Sequence, residues 1–151
     1  MTISGPLVLG YGALSRRPSL RSPTSFEDFS STPVTVCEGL FQTFSLLEML
    51  VVRGEPSTEL SKVFRGLHAA SHADALPVAC LKLKSVWAEG LGTVATYEAM
   101  RECFQHRADR GARLDVLDLS IHNDKDLTSE ERSRFVEDLR KVVGLVRVRC
   151  W

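Results

Sequence analysis

The segment Leu114-Asp-Val-Leu-Asp-Leu119 carries leucine at its first, fourth and sixth positions, the pattern LxxLxL. Its second half alternates apolar and variable residues, which is typical of a strand with one buried face. The same pattern, with Val in place of some leucines, recurs along the chain, and such recurrence indicates repeated supersecondary units. The four copies are Leu47, Leu50 and Val52; Val78, Leu81 and Leu83; Leu114, Leu117 and Leu119; and Val143, Val146 and Val148.

The intervals between copies predict what connects the strands. First positions are separated by 31 residues from 47 to 78, 36 from 78 to 114 and 29 from 114 to 143, enough for one strand, one helix and two short loops. Ser57 is expected to cap one helix, Gly111 to end another, and Thr128 with Glu131 to form a capping box on a third. The apolar stripes at helical spacing are Leu60, Val63, Phe64 and Leu67; Tyr97, Met100, Phe104 and Ala108; and Phe135, Val136, Leu139, Val142 and Val143.

Strands and helices in alternation predict an α/β fold with parallel strands, because each connection is long enough for a crossover. Residues 1–33 are predicted to be an irregular N-terminal segment, with a first strand at Leu7 to Leu9 and a loop rich in Ser, Pro and Arg. Residues 34–151 are predicted to be the repeat segment of about four repeats. A short helix containing Leu40, Phe41 and Phe44 is expected to lead into the strand at Leu47.

LxxLxL followed by a helix, at steps of roughly thirty residues, resembles a helix-containing leucine-rich repeat solenoid. The segments 40–52 and 104–119 are similar to the C-terminal repeats of fungal F-box proteins, and the resemblance covers residues 34–151. It implies a surface that recognises another protein, as in the substrate-reading part of a ubiquitin ligase. An F-box itself is absent, since residues 1–33 are too short and too polar to form one. We therefore expect the C-terminal part of a larger product, or a truncated relative.

Composition excludes several other classes of protein. The 151 residues contain 19 Lys and Arg against 19 Asp and Glu, so no global attraction to nucleic acid is expected. No apolar stretch approaches the roughly 20 residues of a membrane helix, and no secretory signal is recognisable. The four cysteines are scattered without CxxC spacing, which favours buried thiols in an intracellular protein, cytoplasmic or nuclear. No metal site, nucleotide motif or other cofactor motif is recognised.

The residues between the pattern leucines predict a binding face. In a horseshoe they point to the concave side and form three columns: Met49, Cys80, Val116 and Leu145; Val51, Lys82, Asp118 and Arg147; and Arg53, Lys84, Ser120 and Arg149. Five basic side chains, Arg53, Lys82, Lys84, Arg147 and Arg149, share this face with one acid. Such a patch is suited to an acidic or phosphorylated protein partner, while the plain alternative is a solvated face in which aliphatic stems cover the apolar column.

Two classes of function stay open. The first is a non-catalytic protein–protein interaction module, which is the interpretation we favour. The second is a small α/β enzyme with an unrecognised site, for instance one that uses Cys80 or His122. Trp87 and Trp151 are expected to serve core or end-cap packing, with partner anchoring as the alternative. The final strand has no capping helix behind it, so self-association through an open sheet edge is a further expectation.

Overall fold

The computed structural model describes residues 7–10, 34–54, 60–71, 78–123 and 125–150. Strands and helices alternate throughout this part of the chain. Their order is β1 (Leu7–Gly10), α1 (Val34–Thr43), β2 (Met49–Arg53), α2 (Ser61–Ser71), β3 (Ser85–Gly92), α3 (Val94–Asp109), β4 (Leu114–Asn123), α4 (Ser129–Val142) and β5 (Val143–Cys150). The first strand predicted near Leu7 is confirmed and joins the same sheet as the other strands.

All strand pairs are parallel, and the order across the sheet is the order along the chain, β1-β2-β3-β4-β5. Each crossover therefore advances to the next position in one direction. Consecutive helices contact one another, α1 with α2, α2 with α3 and α3 with α4, so these helices form one layer on one side of the sheet. The predicted α/β fold of parallel strands and alternating helices is confirmed.

The pattern residues of β2, β4 and β5 lie where they were predicted, on the sheet face that packs against the helices. Strand register aligns Leu50, Val86, Leu117 and Val146 in one row, and Val52, Ala88, Leu119 and Val148 in the next. Three positions before the first of these rows come Leu47, Leu83, Leu114 and Val143, all buried. These rows form the centre of the core, with only Val148 partly exposed.

The second predicted copy of the pattern is wrong by five residues. Residues 79–82 form a turn, and the true copy is Leu83, Val86 and Ala88 on β3. Cys80 takes φ 52°, a left-handed conformation that a strand cannot accommodate, and Leu81 is 52% exposed. The intervals between first positions become 36, 31 and 29 residues.

Arg107 of α3 holds this turn in place. It is fully buried, and its Nη1 and Nη2 donate to the carbonyl oxygens of Ala79 and Cys80 at 2.6 and 2.9 Å. The Cys80 carbonyl also accepts from the Leu83 N–H at 2.8 Å, while the Cys80 thiol donates to the carbonyl oxygens of Phe41 and Phe44. These bonds satisfy backbone groups that a strand ladder would otherwise pair.

The helix boundaries largely follow the predicted signals. Thr128 and Glu131 form the expected capping box of α4, and Gly111, at φ 76°, follows the end of α3. Thr93 caps α3, accepting from the Thr96 N–H, a signal that the sequence interpretation missed. The Ser57 cap and the Ser/Pro/Arg-rich loop lie outside the described residues.

Close contacts join neighbouring helices into the layer. The rings of Phe64 and Phe104 meet edge to face between α2 and α3, with centroids 5.8 Å apart. Tyr97 stacks on Phe135 between α3 and α4 at 5.3 Å. Gly66 of α2 lies so close to α1 that a Cβ there would overlap the Cβ of Cys37. Each helix is thus packed on the next along the layer.

Candidate partner-binding face

The sheet face opposite the helix layer carries the second set of strand side chains, here called the open face. No helix in the described part of the chain covers it. Strand alternation and register place fourteen side chains of β2 to β5 on this face: Met49, Val51, Arg53, Ser85, Trp87, Glu89, Leu91, Val116, Asp118, Ser120, His122, Leu145, Arg147 and Arg149.

The row of the open face nearest the amino ends of the strands is largely apolar. Register aligns Met49, Ser85, Val116 and Leu145 in this row. Met49 and Leu145 are 41% and 46% exposed. Three members of the predicted apolar column therefore share one row, whereas Ser85 stands where Cys80 was expected. Large apolar side chains are therefore exposed to solvent at both ends of this row.

Charged side chains dominate the rows nearer the carboxyl ends. Arg147 forms an ion pair with Asp118 at 3.6 Å, and the Arg53 guanidinium lies over the Trp87 ring, 5.3 Å from its centroid. Glu89 stands beside Arg53 in the strand register. The open face thus carries three arginines against two acids, a weaker positive patch than the five-to-one balance predicted.

Arg149 differs from the other two arginines of the open face. Within the described residues it forms no ion pair with a carboxylate, although its side chain is exposed. It borders a shallow depression of about 160 Å³, whose lining in the described part of the chain also includes Trp87, Asp118, Leu119 and Ser120. The depression is therefore lined by both an arginine and an aromatic residue.

Lys82 and Lys84 do not lie on the open face, so their assignment to the patch is wrong. Lys82 is an exposed residue of the 79–82 turn. Lys84 lies at the amino-terminal edge of the sheet, where its N–H donates to the Glu48 carbonyl and its own carbonyl accepts from the Asp115 N–H. Because the strand starts five residues later than predicted, Trp87 and Glu89 occupy the places assigned to the two lysines.

Sequence interpretation missed Glu89 and assigned Trp87 to packing. Trp87 is 38% exposed on the open face, so the expectation of core packing is wrong for this residue. A second reading of the same stretch, Leu83-Lys-Ser-Val-Trp-Ala88, also fits LxxLxL if Ala is admitted at the last position. That interpretation would have placed both Trp87 and Glu89 on the open face.

The residues named for a catalytic site have unequal surroundings. Burial raises the pKa of the Cys80 thiol to about 11, despite the lowering effect of nearby Arg107, so this thiol is protonated at neutral pH and a poor nucleophile. Cys37 and Cys103 are likewise buried free thiols, as expected of structural cysteines. His122 is half-buried beside Leu91 in the register of β3 and β4.

Two cavities bear on the enzyme alternative. The depression beside Arg149 is smaller than the roughly 300 Å³ at which ligand pockets begin. A larger groove of about 430 Å³ lies between α1, the end of α2 and the 78–81 segment, and its lining includes Phe41, Val78 and Leu81. The described residues contain no group of three or more His, Cys, Asp or Glu side chains that could hold a metal ion. The enzyme alternative stays an untested prediction.

Helices of the described ranges all fall short of the length and apolarity needed to cross a membrane. No protein-family model matches the chain, and neither a curated protein nor a solved structure matches it. The leucine-rich repeat and F-box resemblances accordingly stay predictions, based on the residue pattern alone.

Proposed function

We propose that this protein is a non-catalytic interaction module of the leucine-rich repeat type, which binds another protein on its open face. The observation that carries the proposal is a parallel sheet with helices on one side and exposed Met49, Trp87 and Leu145 on the other. All-parallel sheets ordinarily have both faces covered. A protein partner is the cover we propose.

The repeat geometry supports the solenoid part of this proposal. Each βα unit adds one strand and one helix beside the previous unit, and the same three apolar rows run through β2 to β5. Stacking in which each unit packs on its neighbours is typical of repeat proteins, whose extended sheet surfaces serve binding. A doubly wound sheet would instead place helices on both faces.

The chemistry of the open face supports the binding part. Aromatic residues, Met and Arg are enriched at protein interfaces, and all three types occur here within a few strand positions. An apolar row beside a charged region also matches the usual anatomy of an apolar interface core with a polar rim. A partner that covers Met49 and Leu145 would remove their apolar surface from water, which favours association.

Reading substrates for an F-box-like ubiquitin ligase, in the cytoplasm or nucleus, is the narrower form of this proposal. It is supported by the resemblance of residues 34–151 to fungal F-box repeats. Recovery of ubiquitin-ligase subunits together with the open-face partner would support this narrower form.

Matched charge insertions test whether the open face binds. Met49→Glu with Leu145→Glu places two acids on the open face, where the native side chains are 41% and 46% exposed. Val36→Glu with Val94→Glu makes the same chemical change on helices α1 and α3, at side chains that are 41% and 38% exposed. Partners captured by the wild-type chain are identified by mass spectrometry, purified, and measured directly by calorimetry.

We expect the open-face variant to lose binding by at least about tenfold, a factor equal to 1.4 kcal/mol, while the helix variant binds as wild type does. Equal binding by both variants, or equal loss in both, would contradict the proposal. Circular dichroism spectra and urea midpoints of the two variants verify that each is folded.

A further inference from the structure

We propose that the open face recognises an acidic side chain of an extended partner segment, whose carboxylate binds Arg149 beside Trp87 while an apolar residue four positions away packs on Leu145. The inference deepens the proposed function and rests on it. It assigns the chemistry of the contact and the spacing of the two recognised side chains.

The charge arrangement selects Arg149 as the anion-binding group. Arg147 is engaged by Asp118 at 3.6 Å, and Arg53 is stacked on Trp87 next to Glu89. Arg149 has no such carboxylate among the described residues and faces the depression lined by Trp87 and Ser120. A guanidinium group binds a carboxylate through paired charge-assisted hydrogen bonds.

The geometry of β5 sets the spacing of the recognised residues. Leu145 and Arg149 both lie on the open face and are separated by four residues, which is about 13 Å along a strand. An extended segment that runs alongside β5 has the same rise per residue. Its side chains at positions i and i+4 point to the same side and span the same distance. An apolar residue and an acid at that spacing match Leu145 and Arg149.

A carboxylate suits this site better than a phosphate. Asp118 lines the depression, and Glu89 lies in the same rows of the sheet. A phosphate group carries about −1.5 to −2 charges at neutral pH and would meet both acids, while Arg149 is the one open-face guanidinium among the described residues without a carboxylate or aromatic partner. A carboxylate carries a single charge and two oxygens that fit one Arg side chain. The inference therefore commits to Asp or Glu as the acidic residue.

Short peptides of defined chemistry test the inference. The probes are acetyl-Leu-Thr-Ser-Thr-Asp-amide, the same peptide with Asn in place of Asp, and the same peptide with phosphoserine there. Binding is followed by NMR through the Trp87 indole N–H signal, which Trp151→Phe distinguishes from the other tryptophan. Arg149→Gln removes the proposed anion-binding charge, and Arg140→Gln removes an exposed arginine of α4 as the matched control.

For the wild-type protein we expect the Asp peptide to bind about five- to tenfold more tightly than the Asn peptide, the effect of one partly exposed charge-assisted contact. Arg149→Gln should abolish that preference, and Arg140→Gln should keep it. The phosphoserine peptide should bind no more tightly than the Asp peptide; tighter binding would overturn the assignment to a carboxylate.

Equal affinities for the Asp and Asn peptides, or a preference that survives Arg149→Gln, would overturn the inference. An absence of binding by any of the peptides up to about 10 mM would overturn it too, because even a weak contact at both recognised side chains gives a dissociation constant in the millimolar range. The matched Glu insertions distinguish this failure from that of the proposed function. If partner binding is lost on Met49→Glu with Leu145→Glu but unaffected by Arg149→Gln, the open face binds a partner in another way.

Discussion

Two glycines in neighbouring helices are expected to respond to alanine in opposite directions. Gly66 lies inside α2 and Gly39 inside α1. A Cβ at Gly66 would overlap the Cys37 Cβ and lie 3.1 Å from the backbone of both Cys37 and Glu38. A Cβ at Gly39 meets no heavy atom within 4 Å in the described part of the chain. The pair therefore separates helix packing from helix propensity.

The magnitudes follow from these distances. Alanine in place of glycine favours a helix by about 1 kcal/mol, so Gly39→Ala should stabilise the protein by roughly 0.5–1 kcal/mol. The same gain at Gly66 is opposed by overpacking, which costs about 1–3 kcal/mol. The cost is near the upper end of this range where the backbone must move to make room. We expect Gly66→Ala to be destabilising by about 1–2 kcal/mol.

Urea unfolding followed by far-ultraviolet circular dichroism measures both effects. With a slope of about 2 kcal/mol per molar urea, the midpoint should fall by about 0.5–1 M for Gly66→Ala and rise slightly for Gly39→Ala. Cys37→Gly removes the obstructing Cβ, so Gly66→Ala should cost much less in that background. If Gly66→Ala is as stable as wild type, α1 and α2 do not pack at this point and the helix layer is described wrongly.

Three other outcomes follow from the same structure. Arg107→Met should lower the free energy of unfolding by about 2–4 kcal/mol in urea titrations, because the Ala79 and Cys80 carbonyls lose their hydrogen bonds to the guanidinium and the Cys80 carbonyl keeps only the Leu83 N–H; an unchanged midpoint would contradict the assigned role. Hydrogen bonds from Thr128 lower the pKa of Glu131 below 4.5, so their stabilisation is complete above that pH and is lost as the pH falls through the lowered pKa. Glu131→Gln should flatten the dependence of the unfolding free energy on pH in acid. A pH curve identical to that of wild type would refute the role of the Glu131 carboxylate. Burial raises the pKa values of Cys80 and Cys103 to about 11 and 12. In a Cys150→Ser background, iodoacetamide at pH 8 should therefore label these two thiols only after the protein unfolds. Rapid labelling of the native protein would count against their burial.

The parts of the fold that depend on local signals could be predicted from the sequence. Leu114, Leu117 and Leu119 form a regular pattern, and the helix that follows begins with a capping box whose geometry is encoded within four residues. The alternation of strands and helices and the parallel strand orientation then follow from the spacing of the pattern and the length of the connections. The layer of helices and the parallel sheet are consequences of these local features.

The position of β3 could not be predicted in the same way. Residues 78–88 contain two overlapping readings of the pattern, and the stronger apolar one, ending at Leu83, is incorrect. The choice depends on Arg107, about 27 residues away, which binds the carbonyls of the turn, and on the left-handed conformation of Cys80. Contacts at such separation leave no periodic signal in the sequence.

The composition of the candidate site changed because of that one shift. Moving the strand by five residues replaces Lys82 and Lys84 on the open face by Trp87 and Glu89. Arg53, Arg147 and Arg149 were placed correctly, since their strands carry clear patterns. The site therefore changes from a patch of five basic side chains and one acid to a mixed surface on which, among the described residues, Arg149 is the arginine without a carboxylate or aromatic partner.

Photo-crosslinking from defined positions tests the central claim, that the open face is the surface that binds a protein partner. Benzoylphenylalanine is introduced at Trp87 on the open face and, as a control, at exposed Gln105 on α3, and the chain is irradiated in the cells that express it. We predict that position 87 yields discrete protein adducts, which disappear when Met49→Glu and Leu145→Glu are added, and that position 105 yields none. Adducts from position 105 alone, or none from position 87, would contradict the account.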